Sequence, residues 1–327
     1  MIHRGKVVVA TSVFGEASRA VEMLREAGFF VDTTLVGSTR KPSTEEKAEL
    51  MKDAVAVVAG TDSYGASLLE RLPNLRIISR VGVGLDNIDF SAASRLEIEV
   101  CWTPDAVSRA VAELTVGLII STTRFVGKAD RGLRRGEWKR YVGLEIHSRT
   151  LGIIGLGRIG KLVVPPMKAL GAKIVANDIA PDHEFARKWG VEWRAREDLL
   201  AESDFVTLHV PLTKLTKGMV NEAFLNRMKP TAVLINTSRG SVVDEPALYE
   251  ALRKGGIAGA AIDVFEKEPY EGPLRSLENV LLTCHMGSCS DLARKRMEEE
   301  AAGNIIAFFE GKSPPGRVPD DLRRNEV

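Results

Sequence analysis

The chain has 327 residues, 44% of them hydrophobic and 27% charged, with a formal net charge of +1. That length suits two domains of ordinary size, and that composition suits a globular chain with a sizeable core. The near-zero charge argues against a surface built for nucleic acid or for an anionic membrane.

In chain order, residues 1–100 alternate strands and helices. Lys6–Ala10 reads as a strand, too short an apolar run for a signal peptide. Glu16–Glu26 carries Ala17, Ala20, Val21 and Leu24 at helical spacing, with Gly28 as a stop. Phe30–Leu35 is a strand, Thr44–Met51 a helix, Ala54–Val58 a strand, Ser67–Leu72 a helix and Arg76–Ser79 a strand. Ala92–Leu96 and Ile98–Cys101 continue the rhythm, which argues a parallel sheet covered by helices on both faces. Between Ser79 and Ala92 lies Arg80-Val-Gly-Val-Gly-Leu-Asp-Asn-Ile-Asp89, a strand end with two glycines two residues apart. Glycines there let backbone amides converge on an anion, and Arg80 could add a bidentate contact to carboxylate or phosphate.

A long helix is expected from Pro104, with Val107, Val111, Leu114 and Leu118 on one face; the stretch Leu114–Ile120 is too short to span a bilayer. Arg124–Arg140 is strongly basic and reads as a solvated helix face. The apolar run Leu151–Ile154 then enters Gly155-x-Gly157-x-x-Gly160. Gly155 permits the tight turn, Gly157 lets backbone approach a pyrophosphate, and Gly160 allows close helix–strand packing. Amides near Arg158 and Ile159 open the next helix, where the dipole favours negative charge. A second apolar run, Ala172–Asn177, ends at Asp178, which lies 18 residues past Gly160. That spacing fits the acid that receives the adenosine ribose hydroxyls. Asp178 repels a 2′-phosphate, and Ile179-Ala-Pro-Asp182 offers no cation to hold one, so NAD is expected over NADP.

Pro165-Pro166 falls inside the helix Lys161–Leu170, where a kink is expected. Helices at Glu197–Ala201, Glu222–Met228 and Pro246–Lys254 alternate with strands at Phe205–Val210, Ala232–Asn236, Ala258–Asp263 and Val280–Thr283. Leu292–Glu310 is a long helix and Lys312–Val327 a polar tail. The fold class is therefore α/β, with two βα-rich halves of doubly wound, Rossmann-like parallel sheet. Cys101, Cys284 and Cys289 show no CxxC and no ligand spacing, so no metal site is expected and a reducing, cytoplasmic setting is.

Arg239, Glu268 and His285 each follow a strand of the second half. Ligands of open α/β sheets bind outside the carboxyl ends of the strands, so these three are candidate neighbours beside the dinucleotide. An imidazole can exchange a proton near neutral pH, a carboxylate beside it fixes the tautomer, and an arginine neutralises a carboxylate and a developing alkoxide.

With these residues in view, the chain resembles the D-isomer-specific 2-hydroxyacid dehydrogenases over nearly its whole length. The motifs are Arg80–Asp89, Val111-Ala-Glu-Leu-Thr115, Gly152–Gly160, Asn236-Thr-Ser-Arg-Gly240, Asp263-Val-Phe-Glu-Lys-Glu-Pro269 and His285-Met-Gly-Ser288. Arg80 and the stretch Arg134–Leu144 point to the D-3-phosphoglycerate dehydrogenase branch, without its C-terminal regulatory domain. The resemblance implies His285 as general acid/base, Glu268 as its partner and Arg239 as binder of the substrate's carboxylate and carbonyl oxygen. The amides of Val83 and Gly84 would hold the other side of the carboxylate. Thr103, Val210, Pro211, Thr237, Ser238, Asp263, His285 and Gly287 fall at positions that contact cofactor in relatives. The resemblance also implies a discontinuous substrate domain (1–101 and 291–327, flavodoxin-like), an NAD domain (102–290) and a homodimer joined through the NAD domain. The activity implied is hydride transfer between NAD and C2 of a small D-2-hydroxy acid, with Arg80 suggesting a phosphorylated one. Alternatives are a glyoxylate or hydroxypyruvate reductase, a phosphonate-type dehydrogenase and a non-enzymatic NAD(H)-sensing protein related to corepressors. Cys284 replaces a common proline before the histidine, which leaves the acid itself open.

Overall fold

A computed structural model describes residues 4–11, 14–15, 18–36 and 42–323. The chain divides into two compact units, one of Met1–Val107 with Ser288–Val327, the other of Ser108–Gly287.

The first unit holds β1 (Lys6–Ala10), α1 (Arg19–Glu26), β2 (Phe30–Asp32), α2 (Thr44–Met51), β3 (Ala54–Ala59), α3 (Ala66–Leu69), β4 (Ile77–Arg80), α4 (Phe90–Arg95) and β5 (Glu99–Cys101). Its five strands run in the order β2-β1-β3-β4-β5, all parallel. β1 and β3 are apolar almost throughout, as strands buried on both faces require, and β4 is buried along its whole length. One face packs on Leu68, Leu69 and Phe90, the other on Val21, Leu24, Ala301 and Ile305. Part of the helix expected over Glu16–Glu26 (Glu16 and Ala17) lies outside the described residues. So does the end of the tail, beyond Arg323. The strand expected to reach Leu35 stops at Asp32, whose carboxylate accepts the Thr34 amide and turns the chain.

α5 (Pro104–Thr123) carries the chain onward. It is long and apolar enough to cross a membrane by length and composition, but 56% of its most apolar window is buried inside the fold. Ala112, Leu118 and Ile119 pack there against the second unit's sheet. α6 (Val126–Arg134) covers only part of the basic run; it ends before Gly136, whose φ of +83° suits a residue without a side chain.

The rest of the second unit is β6 (Thr150–Ile154), α7 (Arg158–Ala169), β7 (Lys173–Asn177), α8 (His183–Trp189), β8 (Val191–Trp193), α9 (Arg196–Glu202), β9 (Phe205–Leu208), α10 (Glu222–Arg227), β10 (Val233–Asn236), α11 (Glu245–Lys254), β11 (Gly259–Ile262) and β12 (Val280–Leu282). α7 runs on through both prolines. α8 and β8 were not expected; β8 has three residues at the sheet's margin and carries a charged Glu192, too little for a periodic signal. The seven strands run β12-β11-β10-β9-β6-β7-β8, all parallel. The order reverses between β6 and β9, the place where such sheets open a crevice at their carboxyl edge. The first unit is completed by α12 (Asp291–Phe309) and α13 (Asp320–Arg323).

Candidate active site

Every candidate residue of the second unit stands on the carboxyl edge of its sheet, and strand order arranges them in a row. Asp178 follows β7, Gly155–Gly160 follows β6, Val210 and Pro211 follow β9, Thr237–Arg239 follows β10, Asp263–Glu268 follows β11 and His285 follows β12.

The glycines behave as the fingerprint requires. Gly155 has a φ of +91°, and a Cβ there would lie 2.6 Å from the His209 carbonyl oxygen. A Cβ on Gly160 would strike the Gly155 carbonyl, so α7 starts tight against the turn. A Cβ on Gly157 would meet nothing within 4 Å, which leaves its backbone open to a pyrophosphate. Asp178 accepts the Leu156 amide at 2.7 Å through Oδ2 and the Ala180 amide at 2.9 Å through Oδ1. Each oxygen keeps a lone pair for a ribose hydroxyl. These residues fit a dinucleotide.

At the other end of the row, His285 Nδ1 is 2.8 Å from Glu268 Oε2, and Glu268 Oε1 accepts the Phe265 amide at 3.1 Å. Both side chains are about one-third exposed, so a ligand can reach them. His285 has a φ of +53°, rarely adopted outside glycine. Asp263 holds it there. Its carbonyl accepts the His285 amide at 2.7 Å. Its Oδ1 takes the Thr283 hydroxyl at 2.6 Å and the Met286 amide at 2.9 Å, and its Oδ2 takes the Gly287 amide at 2.9 Å. The Asp263 carboxylate is buried and spent largely on this loop.

Arg239 is drawn close to the Glu268 loop by the glycine after it. A Cβ on Gly240 would collide with the backbone of Phe265 and Glu266. Arg239 Nη1 donates to the Ser238 carbonyl at 2.8 Å, and its own carbonyl accepts the Asn236 amide group at 2.9 Å. Thr283, Asn236 and Gly240 were not singled out beforehand. Asn236 and Gly240 lay within a quoted motif without a role assigned to them, while Thr283 acts on Asp263, 20 residues away, and leaves no local signal.

The first unit presents the glycine loop after β4. The Gly82 amide donates to the Thr103 hydroxyl at 2.7 Å, and the Thr103 amide donates to the Gly82 carbonyl at 3.1 Å. Arg80 is buried; its Nη1 donates to the Val81 carbonyl and fills the space where a Gly82 side chain would stand. Asn87 Nδ2 donates to the carbonyls of Gly60 and Asp62, tying the loop to the one after β3. Val83 and Gly84 lie in the turn so fixed.

A dinucleotide fingerprint with its ribose acid, followed along one sheet edge by an arginine, a carboxylate and an imidazole, defines an NAD-dependent oxidoreductase. The family of D-isomer specific 2-hydroxyacid dehydrogenases, through its NAD binding domain, matches residues 116–287, and the chain belongs to that family. It is 44% identical over 290 residues to a glyoxylate reductase of Korarchaeum cryptofilum, covering 86% of this chain and 87% of that protein. It is 40% identical over 327 residues to a glyoxylate reductase of Aeropyrum pernix, covering 96% of each. Among solved structures, the TT0316 protein from Thermus thermophilus superposes with a TM-score of 0.88 at 34% identity, covering 96% of this chain and all of that one. The family and the NAD-binding fold are as expected; these named relatives carry glyoxylate in their names, not phosphoglycerate.

Proposed function

We propose that this dehydrogenase reduces glyoxylate and closely similar small 2-oxo acids with NADH. The observation that carries the small acid over a phosphorylated one is the position of Arg80, whose guanidinium turns back onto the Val81 carbonyl beneath Gly82. An arginine so used shapes the turn and is a poor clamp for a phosphate. The charged residue of the neighbouring loop, Asp62, is acidic and sits 3.8 Å from Lys47. The names of the two curated relatives support the same acid.

Bound NADH supplies the hydride. Arg239 neutralises the substrate carboxylate and lines up C2. His285 gives a proton from Nε2 to the oxygen at C2 as negative charge grows there, and Glu268 holds Nδ1 so that Nε2 faces the reaction. Glyoxylate, NADH and one proton give glycolate and NAD. The Val83 and Gly84 amides of the first unit's glycine loop are of a kind suited to a carboxylate.

The test is kcat/KM with NADH for glyoxylate, hydroxypyruvate, pyruvate and 3-phosphohydroxypyruvate. At least tenfold preference for glyoxylate or hydroxypyruvate over the phosphorylated acid is expected. The reverse preference overturns the substrate, and tight NADH binding without turnover favours the sensing protein.

We further propose a homodimer joined through the second unit. A cavity of about 250 Å³ is lined by Phe125, Val142, Leu144, Pro230, Val280 and Leu281; Val142 is 96% exposed, and Trp138, four residues before it in the chain, is 84% exposed. Exposed apolar side chains next to an apolar hollow on the same surface suit a self-complementary interface. Trp138→Glu is expected to convert a dimer to a monomer in light scattering; a monomeric wild type sinks the proposal. We place the enzyme in the cytoplasm, in keeping with its three unpaired cysteines.

A further inference from the structure

Two threonines 122 residues apart meet under the arginine loop, and the direction of their hydrogen bonds can be worked out from proton count alone. Thr115 Oγ1 donates to the Val111 carbonyl at 2.8 Å within α5. A carbonyl has no proton to give, so the single hydroxyl proton of Thr115 is spent there. Thr115 Oγ1 is also 2.9 Å from Thr237 Oγ1. In that contact Thr237 must be the donor.

Thr237 then has no proton left, and on its open side it offers lone pairs only. Its neighbour is set the same way. Ser238 Oγ donates to Asn236 Oδ1 at 2.8 Å, and Asn236 in turn donates to the Arg239 carbonyl. All four of these residues, Thr115, Asn236, Thr237 and Ser238, are buried, so water does not scramble the pattern. The Thr237 and Ser238 hydroxyls after β10 therefore accept hydroxyl or amide N–H donors and are ill suited to a phosphate or carboxylate.

Strand order says which part of the cofactor carries such donors here. Asp178 after β7 marks the adenosine end and the glycines after β6 mark the pyrophosphate. β9 and β10 follow on the far side, toward His285, where the nicotinamide half must lie for chemistry to occur. That half has ribose hydroxyls and a carboxamide N–H₂.

We propose that Thr115 is a positioning residue: by taking the Thr237 proton it makes Thr237 an acceptor for a hydroxyl or amide donor of the nicotinamide half. The proposal rests on NAD binding and not on which acid is reduced.

The test compares the wild type with Thr115→Val and Thr115→Ser by fluorescence titration of NADH and by displacement with ADP, which lacks the nicotinamide half. No oxo acid is present, so an error in the substrate leaves the test intact. Thr115→Val frees the Thr237 proton to point outward, and one lost hydrogen bond is expected to raise the NADH Kd about 2- to 10-fold. The ADP Kd stays within twofold, and Thr115→Ser returns the NADH Kd to within twofold of wild type. Unchanged NADH binding in Thr115→Val overturns the proposal. Equal weakening of NADH and ADP overturns it as well, since that is the mark of a general loss of structure.

Discussion

His285 Nδ1 and Glu268 Oε2 stand 2.8 Å apart, and the second oxygen of the same carboxylate is anchored on the Phe265 amide. An ionised carboxylate accepts only, so Nδ1 carries the proton and Nε2 is the atom left for the substrate. General acid–base catalysis by one positioned group contributes about 10²- to 10⁴-fold. His285→Gln is accordingly expected to lose kcat by that order while binding NADH as the wild type does. Glu268→Gln, which keeps the shape and removes the charge, is expected to lose less. Stopped-flow turnover and a NADH titration read the two quantities separately. Full turnover in His285→Gln would remove it from the mechanism.

Asp178 is expected to set the cofactor. Its two oxygens are held by the amides of Leu156 and Ala180, which fixes the carboxylate where a 2′-phosphate would need to sit. The nearby cation Lys161 is already paired with Asp182 at 2.5 Å. Wild type is expected to prefer NADH to NADPH in kcat/KM by at least about 100-fold, since one pair of like charges at this range costs a few kcal/mol. Asp178→Ser is expected to narrow that ratio mainly by losing NADH. A lower KM for NADPH than for NADH in the wild type contradicts the assignment.

Much of this was legible in the chain because both sheets are parallel and buried on two faces. Their strands appear as unbroken apolar runs such as Leu151–Ile154 and Val233–Ile235, and two of the fingerprint glycines, Gly155 and Gly160, are forced by backbone contacts that only glycine permits. The candidate catalytic residues could be picked out because each follows such a run. What was not legible depends on pairs far apart in sequence. Nothing local says that Asp263 spends its carboxylate on residues 283–287, or that Thr115 meets Thr237. β8 escaped because three residues at a sheet margin carry too few apolar positions to show a period.

Gly240 is where the arginine loop and the glutamate loop touch. A methyl group there would collide with the backbone atoms of Phe265 and Glu266, and backbone cannot swing aside as a side chain can. Overpacking of this kind costs about 1–3 kcal/mol, often more against backbone. Gly240→Ala is expected to lower the melting temperature by several degrees. It should also cut kcat/KM at least tenfold, because Arg239 and Glu268 are pushed apart together. Normal activity with normal stability would show that the two loops can separate at no cost.

His209 gives the fold an acid-sensitive point next to the fingerprint. Its Nε2 is 3.1 Å from the Thr207 hydroxyl, its buried Nδ1 has no partner among the described residues, and its carbonyl packs on Gly155. Burial pushes the imidazole down from its usual range to about 3, so it is neutral in the folded protein. In the unfolded chain it takes a proton below about pH 6.5. The unfolded state then binds more protons than the native one, and stability falls as pH drops from about 6.5 toward 3, by up to about 1.4 kcal/mol per pH unit. Above about pH 6.5 this contribution is constant. Urea denaturation of wild type and His209→Gln at pH 7.5 and pH 5.0 checks this. The wild type is expected to lose about 2 kcal/mol more than the variant between the two pH values. Equal losses would mean that His209 is protonated in the folded enzyme, with water or a rearranged carbonyl reaching Nδ1.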